Sequence, residues 1–308
     1  MLTARSWMQP LRGPRMRLLL MLCCTLLISP SWAASVLLSA PEQSPALEAF
    51  TEALQKRRPH DQIRFALSKE LPSTAPGADT RLILFGTEAL KHYLEQANTT
   101  PALVLRVSRL QADVLLQRKP SNTISLLWSD PPLDRQLRLA RALLPKSTRI
   151  GVLYSPASAG LLDELRRTAQ SLNLEVIARQ WRDNRDNKAL RQVLEDSDLL
   201  FGLDDPLIYN RQTIKNLLLS SYAHQRPLFG PTVSFVRAGS LASTYSDQSN
   251  WLDTLDELLD QPTAQWPREQ YPARFNVQSN RQVARALGIT LPDDAELARR
   301  LAAGESRP

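Results

Sequence analysis

Three groups of residues carry chemical potential by type and position: Gly86-Thr87, the trio Tyr154, Ser155 and Ser158, and Asp204-Asp205. Each stands at the end of a short apolar run, just before a helical pattern or a turn. Glycine lets a ligand approach the backbone closely, and Thr87 either caps the following helix or offers its hydroxyl to that ligand. Asp204 and Asp205 either hold an amine or act as turn and cap residues before Pro206. Tyr154 either stacks on a ring or fills a core. Ser155 and Ser158 precede a helix, so at least one of them is a cap. The same position at other strand ends selects Ser39 to Glu42, Glu88, Thr232 and Ser234, and an extended segment adds Ser243 and Tyr245. Trp128 lines a cleft or packs near a hinge, whereas Trp251, in a helical pattern, and Trp266, in a Pro-rich loop, carry less weight.

Hydroxyls, aromatic rings and helix N-termini bind; they do not by themselves catalyse. His60, His92 and His224 are far apart and lack metal-site spacing. The sequence has no G-x-S-x-G elbow around Ser155 and no G-x-x-x-x-G-K-[ST] loop. Asp293-Asp294 starts a helix, and Arg182 to Lys188 is a solvated turn. The pattern implies no catalytic residue, cofactor or metal.

The elements that must position these groups alternate regularly. Strands are expected at Ser35–Ser39, Ile63–Leu67, Arg81–Phe85, Ala102–Val107, Thr123–Trp128, Ile150–Tyr154, Val176–Ile177, Leu199–Leu203 and Pro227–Phe229, with helical patterns between most of them. Asp130-Pro131-Pro132 reads as a helix start, with Asp130 as cap and proline at the first helical position. Such alternation specifies an α/β fold with parallel sheets, right-handed crossovers and helices on both faces. Two Rossmann-like lobes with a cleft between them are expected: residues 34–145 plus 244–272, and residues 146–243 plus 273–303. The crossings then fall near Pro145 and Gly239–Tyr245, the first lobe looks short, and residues 304–308 form a disordered tail. Ligands in such folds bind beyond the carboxyl ends of the strands, which is why the residues above were selected.

Residues 1–33 hold Arg5, Arg12, Arg15 and Arg17, then the apolar run Leu18–Ile28, then Ser31-Trp32-Ala33. That order reads as a secretory signal peptide cleaved after about Ala33, with either Met1 or Met16 as the start. At 11 residues the run falls short of the roughly 20 that span a bilayer. Without this segment the formal charge of +7 falls by the four arginines to +3, and no basic cluster interleaved with aromatics remains to favour nucleic acid. Cys23 and Cys24, the only cysteines, leave with it, so a disulfide or thiolate site is excluded from the remainder.

Ile150-Gly-Val-Leu-Tyr-Ser-Pro156, Leu199-Leu-Phe-Gly-Leu-Asp-Asp205, Arg226-Pro-Leu-Phe-Gly230, Ala238-Gly-Ser-Leu-Ala242 and Ala284-Arg-Ala-Leu-Gly-Ile-Thr-Leu-Pro292 occur in order and spacing. Together with Leu84-Phe-Gly-Thr87, this series resembles the ABC-transporter substrate-binding proteins of the periplasmic binding protein type I fold, related to the tryptophan- and tyrosine-type binding proteins. The chain departs from that pattern at Ser108-Arg109 and at Gln248–Trp251, both near the expected cleft. The resemblance implies a monomeric periplasmic protein that captures a small molecule, an amino acid or related organic anion, for a membrane permease. The alternative partner is a receptor, for which the chain would serve as a sensory module without transport. Ser39, Gly86, Thr87, Tyr154, Ser155, Asp204, Asp205, Thr232 and Tyr245 are the ligand-binding candidates.

Overall fold

The computed structural model describes residues 34–71, 77, 80–96, 98–183 and 187–305. The expected signal peptide lies outside them, as do parts of the 71–80 loop, the 182–188 turn and the tail. Two sheets of six strands each form the frame. The first contains β1 (Ser35–Ala40), β2 (Gln62–Leu67), β3 (Thr80–Phe85), β4 (Ala102–Val107), β5 (Ile124–Trp128) and β11 (Glu269–Gln270), in the order β11-β5-β4-β3-β1-β2. The second contains β6 (Arg149–Tyr154), β7 (Glu175–Gln180), β8 (Leu199–Phe201), β9 (Leu228–Phe229), β10 (Ala242–Tyr245) and β12 (Asn276–Ser279), in the order β12-β10-β9-β8-β6-β7. Among the described residues only the β10–β12 pair is antiparallel. The first lobe, short as it looks in sequence, thus has as many strands as the second, because β11 returns late in the chain to its edge.

Central strands are apolar on both faces, as parallel strands covered by helices must be. On one face of the first sheet, α1 (Pro45–Arg57) and α9 (Gln248–Leu259) bring Phe50, Leu54, Trp251 and Leu255 against Val36, Leu38, Ile83 and Leu105. On the other, α2 (Gly86–Glu95) and α3 (Arg109–Arg118) bring Leu90, Tyr93 and Ala112 against Leu82, Leu84 and Val104. In the second lobe, α4 (Leu133–Leu143), α5 (Ala159–Ser171), α10 (Arg281–Ala286) and α11 (Asp294–Glu305) cover one face. There, α6 (Asn187–Asp196) and α7 (Ile214–Ala223) cover the other. A short α8 (Val233–Ala238) leads into β10.

Two boundaries differ from the sequence reading. The helix before Pro145 packs with the second sheet, not the first: Leu137, Leu139, Ala140 and Leu143 join Ile150, Val152 and Phe201 in one core. Buried Gln136 fixes it there, donating to Gly230 O (3.2 Å) and Ser243 Oγ (3.0 Å) and accepting from Thr244 N (2.9 Å). The chain therefore crosses between the sheets before this helix, in the Ser129–Pro132 segment. Nor does Asp130 cap α4, whose N-cap is Pro132. A residue before proline is pushed away from helical backbone, so Pro131 cannot begin the helix that Pro132 precedes. Asp130 instead accepts the backbone N–H of Arg109 at the start of α3 (2.9 Å).

Candidate functional site

Successive strands run the same way, so each lobe gathers its βα loops at one end. The loops of the two lobes meet beside β4, β5 and β6. Arg109, which opens α3, donates through Nη1 to Glu164 Oε1 of α5 (2.9 Å) and to Tyr271 Oη (3.3 Å). Its second terminal nitrogen completes a bidentate pair with Glu164. Leu110 beside it is buried in the second lobe's core cluster. The arginine holds the Glu164 carboxyl below its ordinary range, mainly through that hydrogen-bonded pair. Asp130 is buried next to this junction, and burial, with the charge of Asp204 adding to it, pushes its carboxyl up to about 7 despite the Arg109 N–H. Asp204, half-buried on the second lobe, is also raised by burial, opposed by the Ser108 hydroxyl of the first lobe. A carboxyl from each lobe thus faces the other in a setting that disfavours two negative charges.

Away from this junction, a pocket of about 290 Å³ opens at the tips of β1, β3 and β4. Neighbouring strands β1 and β3 send their connections to opposite faces, α1 to one and α2 to the other. That is the topological switch point at which open α/β sheets hold ligands. The pocket is walled by Leu47, Phe50, Phe85, Leu105 and Trp251, and Glu42, Gly86, Arg106 and Gln248 also line it. Phe50 and Phe85 pack edge to face, centroids 5.0 Å apart. The Trp251 N–H already donates to Ser246 O (3.2 Å), so this ring offers the pocket apolar surface. Gly86 has φ +82°, and a Cβ there would meet nothing within 4 Å. Backbone angle, rather than crowding, therefore selects glycine.

Residues 82–251, more than half of the chain and parts of both lobes, match the family of ABC transporter substrate binding proteins. The chain belongs to that family. No curated protein matches it by sequence. Among solved structures it is similar to a ligand-free, open substrate binding protein with adhesive properties from Clostridium difficile. That match has a TM-score of 0.63 and 17% identity, covering 85% of this chain and 97% of the other. It is also similar to a conserved domain protein from Vibrio cholerae O1 biovar El Tor (TM-score 0.58, 20% identity, 86% and 98% covered). A third is an ABC domain in complex with L-Trp from Streptococcus pneumonia (TM-score 0.56, 17% identity, 86% and 98% covered). At these identities the likeness speaks for the fold, that of the type I periplasmic binding proteins.

Within this binding-protein frame, the residues singled out from sequence separate into three groups. Gly86 lines the pocket, with Thr87 beside it, half-buried in the first turn of α2. Thr87 does not cap that helix: Phe85 is the N-cap, and no side chain bonds there. Asp204, Thr232 and Tyr245 are half-buried at the second lobe's strand ends. Thr232 is the N-cap of α8, again without a side-chain bond. The third group is structural. Ser39 is fully buried against Ser68 Oγ (3.2 Å). Ser155 forms a reciprocal capping box with Ser158. Asp205 is fully buried, accepting from Ser158 Oγ (2.6 Å) and Leu207 N (2.9 Å). Tyr154 packs on the second lobe's core, Ser243 is spent on Gln136, and Trp128 is buried in the first lobe. Among the described residues no cluster of His, Cys, Asp or Glu is arranged to hold a metal, and no helix is long and apolar enough to cross a membrane.

Sequence reasoning missed Arg106, Asp130 and Trp251. Arg106 left a legible trace: it is the one charge in the run Ala102-Leu-Val-Leu-Arg-Val107, where a buried strand has no use for one. Asp130 was taken for a cap of the wrong helix, and Trp251 was discounted for being helical, although α9 turns it toward the β3 and β4 tips.

Proposed function

We propose that the chain is the exported, solute-capturing component of an ABC-type importer, and that its two lobes close over one small organic molecule, an amino acid or related organic anion. The observation that carries this reading is the pocket at the first lobe's switch point, lined by first-lobe residues; the second lobe touches the first elsewhere, through Arg109 and Glu164. Gly86 and Thr87 would contribute backbone and hydroxyl groups from the first lobe; Asp204, Thr232 and Tyr245 would approach from the second. Ser39, Tyr154, Ser155 and Asp205 would then support the site rather than touch solute. No group in this set is disposed as a nucleophile with its base, so the reading is binding without turnover. Lobe closure would create the composite surface that a membrane permease recognises.

A thermal-shift screen of the purified protein against amino acids, aromatic acids, nucleosides and small organic anions tests the reading. A ligand at 100 times its Kd adds about 2.7 kcal/mol of apparent stability. Some member of the screen is expected to raise the melting temperature and to be recovered chemically unchanged. A screen without any shift, or recovery of a converted product, would contradict it.

A further inference from the structure

We propose that Arg106 is the specificity residue of this pocket and that it selects a solute carrying a carboxylate on an apolar, ring-sized body. The inference deepens the cleft reading above and rests on it.

Three observations converge on Arg106. First, its backbone is in the left-handed region, φ +62°. Among the described residues two other non-glycine residues share that feature, Asn173 and Gln225. Both immediately follow helix ends, where a left-handed residue terminates the helix. Arg106 ends no helix. It is the extra residue of a bulge in β4, between Leu105, paired with Leu127, and Val107, paired with Trp128. Bulges re-aim a side chain at a strand end, and strain of this kind gathers where a site needs a group in an otherwise inaccessible direction. Second, the re-aimed side chain lines the pocket and is exposed, and among the described residues no acid or carbonyl pairs with it. The other arginine of this loop, Arg109, is committed to Glu164. Third, the walls behind Arg106 are apolar and aromatic, and they accommodate a ring but offer a charge little else.

A guanidinium presents a planar fork of donors that matches a carboxylate, and partial desolvation at an apolar wall strengthens that bond. Glu42 lies on the same pocket and is also exposed. A head group with a single negative charge, alone or beside an ammonium, therefore fits, and a dicarboxylate head is disfavoured.

The test uses matched probes that differ only at the head group: indole-3-acetate against indole-3-acetamide and tryptamine, L-tryptophan against its amide, and phenylacetate against phenylacetamide. Affinities are measured by calorimetry on the wild type, R106Q and R106G. At least one acid is expected to bind, with its amide weaker by about 10- to 100-fold, the usual consequence of losing a charged hydrogen bond. R106Q is expected to remove that preference, lowering acid affinity by a similar factor and leaving the amide's unchanged. R106G should lose the preference too, while melting at the same temperature or a few degrees higher, since glycine accepts the left-handed backbone. An amide or amine that binds as tightly as its acid, or an R106Q protein that retains the acid preference, would overturn the role of Arg106 and leave the cleft reading standing. Failure of every probe, charged or neutral, to bind the wild type would count against both.

Discussion

Asp130→Asn isolates the electrostatics of the lobe junction. The asparagine keeps an oxygen to accept the Arg109 N–H, which Asp130 now takes at 2.9 Å, and removes only the charge. Asp130 ionises at about 7 in the fold, against 3.8 for an ordinary aspartate. Across that window the unfolded chain has released its proton while the native state still holds it. Proton uptake thus favours folding, and the contribution, complete below about pH 3.8, is lost as pH rises through 7. The full shift corresponds to about 4 kcal/mol, of which about 2.5 kcal/mol falls between about pH 5 and 7.5. For a chain of this size that is about 5 to 10 °C in melting temperature. Thermal unfolding of wild type and variant across this range should therefore show Asp130→Asn gaining on the wild type by that amount as pH rises. A difference that stays constant, or an asparagine variant less stable at about pH 7.5, would refute the argument that the buried charge facing Asp204 is an electrostatic cost.

Replacing Gln136 with Leu strands Thr244 N–H and the Gly230 carbonyl in the core, and should cost about 2–4 kcal/mol in urea unfolding. An unchanged midpoint would detach α4 from the second lobe. Gly151→Ala drives a Cβ to 2.4 Å from Ser197 Oγ and 3.0 Å from Val193 Cγ2, and should destabilise by about 1–3 kcal/mol; G151A/S197G should recover part of the loss. Glu164→Gln breaks the ion pair between α3 and α5 and should cost about 1 kcal/mol, with the gap to wild type narrowing in high salt. Thr87→Ala should weaken the solute found by thermal shift by about 3- to 10-fold and leave the unliganded melting temperature within a few degrees, since Thr87 caps nothing.

The α/β alternation was plain in the sequence because parallel strands read as short apolar runs and crossover helices as periodic ones. Strands β11 and β12 are two and four residues long and were not separable from loop. Membership of α4 was illegible for another reason: a helix between two lobes shows an apolar face to either, and it is the buried polar residues Arg135, paired with Glu305 of α11, and Gln136 that distinguish them. In the site, position beyond a strand end selected Gly86, which lines the pocket, and Asp204, which lies half-buried at a second-lobe strand end. The same rule could not tell a hydroxyl facing the cleft from one buried in the fold, which is why Ser39, bonded to Ser68, and Ser155, in a capping box, were chosen with them. Arg106 depends on a bulge and a left-handed residue, neither of which local composition specifies.

Capture between two lobes is tested most directly by amide hydrogen exchange with and without the solute that gives the largest thermal shift. The account predicts slowed exchange on both sides of the gap, at residues 86–88 and 106–108 of the first lobe and at residues 203–207 and 232–235 of the second. Protection confined to one lobe, or spread over a surface away from these strand ends, would contradict it.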